Sequence, residues 1–93
     1  MAKYVSLVKI RGSVQNPQKL ASSLGNLASE VDEYDAGIVE SYAILGEYDF
    51  MVVFDAPDRN AAFRASIAIE NQGLDAQTME IIPIEEFANI VQE

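Results

Sequence analysis

Two hydrophobic periods alternate along this chain, and their order leaves few folds open. From Lys3 to Ile10 the period is two: Tyr4, Ser6, Val8 and Ile10 share one face, Val5, Leu7 and Lys9 the other. This is a strand with apolar residues on both faces. Arg11-Gly12-Ser13 breaks it. Asn16 then offers a helix N-cap and Pro17 suits the first helical position, where its missing N–H costs nothing. Leu20, Leu24, Leu27, Val31 and Tyr34 follow at steps of four, three, four and three, one apolar stripe on a helix. Lys19, Ser22, Ser23, Asn26 and Glu30 take the opposite face, and Gly37 is the expected stop. A second strand is expected over Ile38–Leu45, with Ile38, Tyr42 and Ile44 on one side and Val39, Ala43 and Leu45 on the other. Gly46-Glu47-Tyr48-Asp49 interrupts it, and Phe50–Phe54 is a third, apolar at every position. So short a break makes these two a hairpin. Asp55-Ala56-Pro57-Asp58 starts a helix over Asn60–Gln72, with Phe63, Ile67 and Glu70 in line and Ala62, Ala65 and Ile69 beside them. Gly73 ends it, Ala76–Ile82 is a fourth strand, and Pro83 precedes a short helix over Ile84–Val91.

Strand, helix, strand, strand, helix, strand is the α+β order of a ferredoxin-like βαββαβ domain. Its four-stranded antiparallel sheet carries two helices on one face, and here a short C-terminal helix follows. The 93 residues, with no linker among them, make a single domain, 1–93. Two helices cover only one side of such a sheet, yet both faces of these strands are apolar. A bare apolar sheet face is larger than a soluble monomer usually exposes. The C-terminal helix covering part of it, and a second copy of the sheet covering the rest, is the expected solution: a homo-oligomer, most simply a dimer with sheets face to face.

Composition removes several function classes. There is no Cys and no His. That excludes a thiol nucleophile, a disulfide framework and Cys-based metal sites, and it removes the commonest general base. No metal site and no cofactor is expected. The chain has 15 acidic against six basic residues, net charge −9. Phosphate backbones are repelled by such a field, so no nucleic-acid partner is expected. No apolar run is long enough to span a membrane. Met1-Ala2-Lys3-Tyr4-Val5 lacks the build of a signal peptide, which points to an unprocessed, cytoplasmic protein. Two settings fit the acidity: a high-salt cytosol, where a carboxylate surface stays hydrated, and an ordinary acidic protein.

The segment Leu45-Gly46-Glu47-Tyr48-Asp49-Phe50, running into an apolar strand, resembles the signature of the GYD domain family. Lys3-Tyr4-Val5-Ser6-Leu7-Val8-Lys9 resembles that family's first strand, and Glu40-Ser41-Tyr42-Ala43-Ile44-Leu45 the strand before the motif. Asp55-Ala56-Pro57-Asp58 with Ala61-Ala62 resembles its second helix start, and Gln77-Thr78-Met79-Glu80 with Glu85-Glu86-Phe87 its end. The resemblance implies a ferredoxin-like fold that dimerises into an α+β barrel. The same segment is similar, more distantly, to the ligand-binding domain of Lrp/AsnC regulators, which implies small effectors bound at subunit interfaces. Only the sensor part of those regulators is resembled, since no helix-turn-helix is present.

Candidate ligand-binding residues are Gly46, Tyr48, Asp49, Tyr42, Lys9 and Arg11. Each has a plainer reading beside the functional one. Gly46 supplies a positive φ or a close backbone approach in the hairpin. Asp49 caps the turn, or else meets a ligand or a metal at the mouth of a barrel. Tyr42 and Tyr48 pack at an interface with wet hydroxyls, or offer phenols to a ligand. Lys9 and Arg11 share a strand face and hold a ligand carboxylate or phosphate, or pair with neighbouring carboxylates. Arg64 is expected in solvent, as is the run Glu30, Asp32, Glu33 and Asp35, which lacks the build of a calcium loop. The preferred function is a non-catalytic small-ligand-binding or regulatory homo-oligomer. The alternative is a small cofactor-independent enzyme, a monooxygenase or isomerase of the dimeric α+β barrel type. With no His or Cys, its acid–base work falls to Asp49, Glu40 or a tyrosine with a shifted pKa. A structural partner subunit is a third, plainer possibility.

Overall fold

The structure is a computed structural model that describes residues 2–10, 22, 25–27, 29, 31–33 and 35–92. Its strands are β1 (Ala2–Ile10), β2 (Gly37–Ala43), β3 (Phe50–Ala56) and β4 (Leu74–Ile81). They form one antiparallel sheet in the order β2-β3-β1-β4. Helix α1 includes the described positions 22, 25–27, 29 and 31–32; α2 is Arg59–Glu70 and α3 is Ile84–Val91. This is the ferredoxin-like fold. Asn16, Pro17, Leu20, Leu24 and Tyr34, with the first-helix features they were expected to make, lie outside the described residues. No helix among the described residues is long and apolar enough to cross a membrane.

The core lies on the helix side of the sheet. Val8, Val52, Phe54, Ala56 and Leu74 meet Leu27 and Val31 of α1 and the buried side of α2. Tyr4 stacks on Phe54 across the β1–β3 pair, ring centroids 5.5 Å apart. Asp58 caps α2: its Oδ1 accepts from the Ala61 N–H at 2.8 Å. Gly73 ends that turn at φ +82°, a conformation that favours glycine.

Three expectations are corrected. The left-handed residue after α1 is Asp35 (φ +61°), not Gly37, which already begins β2; the Asp35 N–H donates to the Asp32 carbonyl at 3.1 Å. Asp is among the few residues that take this conformation at modest cost. β2 contains a register shift between Ile38 and Glu40, so that Ile38 lies opposite Phe54 while Glu40 lies opposite Val53. One extra residue inverts every side chain beyond it. Ile38, Ser41 and Ala43 therefore pair on the helix side and Glu40 and Tyr42 on the other, and the strand ends before a fully exposed Leu45. The structure also tells the two apolar lines of α2 apart: the buried side is Ala61, Ala62, Ala65, Ala68 and Ile69, while Phe63 and Ile67 face outward, 63% and 54% exposed. The large side chains below, Phe54 and Val8, fill the space a wider helix face would need. Finally, α3 does not bury itself on the sheet: none of its residues is buried, and Ile84, Phe87, Ile90 and Val91 are all more than half exposed.

Candidate functional site

The strand registers lay out the sheet face opposite the helices, because directly paired residues point to the same side. One row across it reads Gln77, Leu7, Met51, Tyr42; the next reads Met79, Val5, Val53, Glu40; the third reads Ile81, Lys3, Asp55, Gly37. Lys9 and Asp75 begin a fourth row at one end. The centre is thus Leu7, Met51, Val5 and Val53, with Met79 and Ile81 beside it. The rim is Gln77, Lys9, Asp75, Lys3, Asp55, Glu40 and Tyr42. Val5 and Val53 are buried but do not belong to the helix-side core. An apolar centre inside a polar rim is the anatomy of a protein interface.

The loop from Ile44 to Asp49 closes one end of this face. Its base is tied by the Ile44 N–H donating to the Asp49 carbonyl at 2.8 Å. It is stitched to β1 twice: the Asp49 N–H donates to the Val8 carbonyl at 2.8 Å, and Asp49 Oδ2 accepts from the Ile10 N–H at 2.9 Å. Asp49 therefore caps the end of β1 with one carboxylate oxygen. Half-buried Tyr48 reaches over the face and donates from its hydroxyl to Gln77 Oε1 at 2.9 Å. Gly46 supplies neither of the features expected of it. Its φ is not positive, and an added Cβ would meet nothing nearer than Ile44 Cγ2 at 3.9 Å.

At the other edge, Tyr42 donates its hydroxyl to Glu40 Oε2 at 2.9 Å. That hydrogen bond, the negative charge of Glu40 and slight desolvation raise the Tyr42 pKa above its usual 10.0. This is the wrong direction for a phenolate base at neutral pH. Tyr48, Asp49 and Lys9 come together at the β1–β4 end of the face. Tyr42 stands on β2, three strand spacings from Gln77, or about 14 Å. Within one chain the two tyrosines do not converge. Lys9 is exposed and makes no ion pair with another described residue, and Arg11 lies outside the described residues. Sequence reading missed Gln77 as the partner of Tyr48 and the apolar pair Met51 and Met79. The alternation Gln77, Met79, Ile81 in β4 was the available signal. Among the described residues no three His, Cys, Asp or Glu side chains are grouped to hold a metal ion.

Comparison with known proteins agrees with the architecture. The model of the GYD domain family matches residues 4–91. A Thermus thermophilus protein named "Glutamine synthetase and cystathionine beta-lyase binding protein" is 31% identical over 72 residues, covering 76% of this chain and 73% of that one. The crystal structure of TTHA0845, also from Thermus thermophilus, superposes with a TM-score of 0.58 over 89% of this chain and 95% of that one. At 16% identity that likeness concerns the fold alone.

Proposed function

The chain belongs to the GYD domain family, and from that premise we propose that it is a non-catalytic regulatory protein, a cytoplasmic homo-oligomer that works by binding. Its open sheet faces pack against each other, and other proteins are its partners. The observation that carries this reading is the open face itself, apolar at Val5, Leu7, Met51, Val53 and Met79 and polar around them. Three strand spacings by six residue rises give that face roughly 300 Å² in plan. A standard interface buries about 800 Å² per partner. The sheet face alone falls short, and the apolar side of α3 supplies further area. Ile84, Phe87 and Val91 recur there at helical spacing with no cover from the other described residues. On this reading a small ligand sits at the rim of the interface, on Lys9, Tyr42, Tyr48 and the loop of Gly46 and Asp49. A relative named for binding two enzymes supports protein partners for this chain as well.

Native mass spectrometry of freshly purified protein tests the reading. The expected spectrum shows multiples of the 10.2 kDa chain, and excess mass per subunit identifies a retained ligand. A spectrum of 10.2 kDa monomer alone, at micromolar concentration, overturns the face-to-face assembly.

A further inference from the structure

Two helices of this chain expose apolar stripes, and the charges beside the two stripes are opposite. On α2, Phe63 and Ile67 stand one helical turn apart on the side turned away from the sheet. At 3.6 residues per turn, Arg59 and Arg64 fall on either side of that stripe, both exposed. On α3, Ile84, Phe87 and Val91 form a second stripe, with exposed Glu85 and Glu86 on either side of it. α3 carries no cation. The start of α2 adds a second reason for carboxylates there. Arg59 is its first residue, where a cation opposes the positive end of the helix dipole, and no acidic residue of the first turn offsets it. Carboxylates brought to this end from outside suit both the guanidinium and the dipole.

α3 cannot reach this surface in its own chain. β4 ends at Ile81 and α3 starts at Ile84, so the connection through Ile82 and Pro83 spans at most about 11 Å. A helix is about 10–12 Å across, so a second helix lying on the outer side of α2 has its axis about 15 Å or more above the sheet. The occupant that fits is the α3 of another copy.

We propose that α3 of one copy docks, parallel, on the outer side of α2 of another. The spacing of the two stripes sets the register. With Phe87 level with Phe63 and Val91 level with Ile67, Glu85 and Glu86 lie between Arg59 and Arg64. An antiparallel register carries the two glutamates to the end of α2 that holds Glu70, where like charges repel. α2 lies on the far side of the sheet from the open face, so this contact adds area to the assembly beyond the packing of sheet faces. The patch given differs from the patch received. The contact is therefore heterologous, and it joins copies into a ring or an open chain. α3 is about 12 Å long, so one such contact is small and weak, with a dissociation constant on the order of 0.1–1 mM.

The test is a dilution series of the full chain carrying Leu7→Glu, which places a charge on the open face and so reads the two contacts apart. Two-dimensional amide NMR follows it from about 1 mM to about 0.02 mM, a range that brackets so weak a contact. The expected result is saturable, concentration-dependent shifts in residues 59–67 and 84–91 together. Arg59→Glu with Arg64→Glu weakens the association at least about tenfold, and so does Glu85→Arg with Glu86→Arg. Mixing these two chains restores it, because each then offers the charge the other needs. One chain with all four reversals restores it as well, at the parent's net charge of −9. A second measurement uses the parent background, which has no Cys. Phe63→Cys and Phe87→Cys chains, mixed and oxidised, give a disulfide between positions 63 and 87, identified in a tryptic digest. The packing of open sheet faces is judged separately, by the parent at micromolar concentration, where this contact alone is not populated. The proposal is overturned by shifts missing from either helix, by shifts of α3 together with Val5, Met51 and Val53, by a four-reversal chain that stays weak, or by 63–63 and 87–87 disulfides as abundant as 63–87.

Discussion

Asp49 acts through one carboxylate oxygen, and its effect is local. By accepting from the Ile10 N–H it finishes the pairing of β1 where β3 has ended, and its own N–H and carbonyl tie the loop shut. A part-buried hydrogen bond to a charged group contributes about 1.5–3 kcal/mol. Asp49→Ala is therefore expected to lower unfolding stability by about 1–2 kcal/mol in a urea titration, with Asp49→Asn losing less because it keeps an acceptor. An Ala variant as stable as the parent contradicts the capping role. Tyr42 gives a second residue-scale prediction. Its raised pKa means the folded state favours the neutral phenol. That contribution is complete below pH 10 and is lost as pH climbs through the raised value. Glu40→Gln is expected to move the Tyr42 ionisation back down toward its usual value, followed by NMR of ring-labelled tyrosine. An unchanged titration shows that Glu40 is not the cause.

At the scale of elements, what the sequence made legible depended on whether a periodic signal ran unbroken. β1 and α3 lie almost where their patterns place them, since alternation in one and helical spacing in the other are continuous. The faces of β2 were not legible, because the extra residue near Val39 leaves no mark in the pattern of apolar residues. The buried face of α2 was left open for a different reason. Phe63 and Ile67 make one apolar line and Ala62, Ala65 and Ile69 another beside it, and the second, mostly alanine, is the one that packs on the core of Phe54 and Val8. Ala65, fully buried, is the sharpest probe of that packing. Ala65→Leu is expected to cost about 1–3 kcal/mol through overpacking, read from thermal and urea unfolding. A variant of unchanged stability means that α2 stands farther off the sheet than described. Of the candidate site, the loop and Asp49 were legible as a turn with a cap. The bond from Tyr48 to Gln77 was not, since it joins residues 29 positions apart and depends on the order of strands in the sheet.

For the whole molecule, the shape follows from one layer of helices over one face of one sheet. Its shortest dimension is 16 Å and its radius of gyration is 14.2 Å, against about 12 Å for a compact domain of this length. A slab of this kind has a bare side, and the apolar row of Leu7 and Met51 on it is flanked by Tyr42 and Gln77. Together with the uncovered apolar residues of α3, it makes self-association the property on which the proposed function rests. Sedimentation equilibrium of the parent chain beside Leu7→Glu tests it most directly. Leu7 faces the open side and takes no part in the helix-side core, so the variant keeps its fold, verified by circular dichroism. A charge buried without a partner in an interface costs several kcal/mol, about a thousandfold in association. The expected result is an oligomer for the parent at micromolar concentration and a folded monomer for Leu7→Glu. A parent that sediments as a monomer, or a variant that associates as tightly as the parent, contradicts the assembly of open sheet faces.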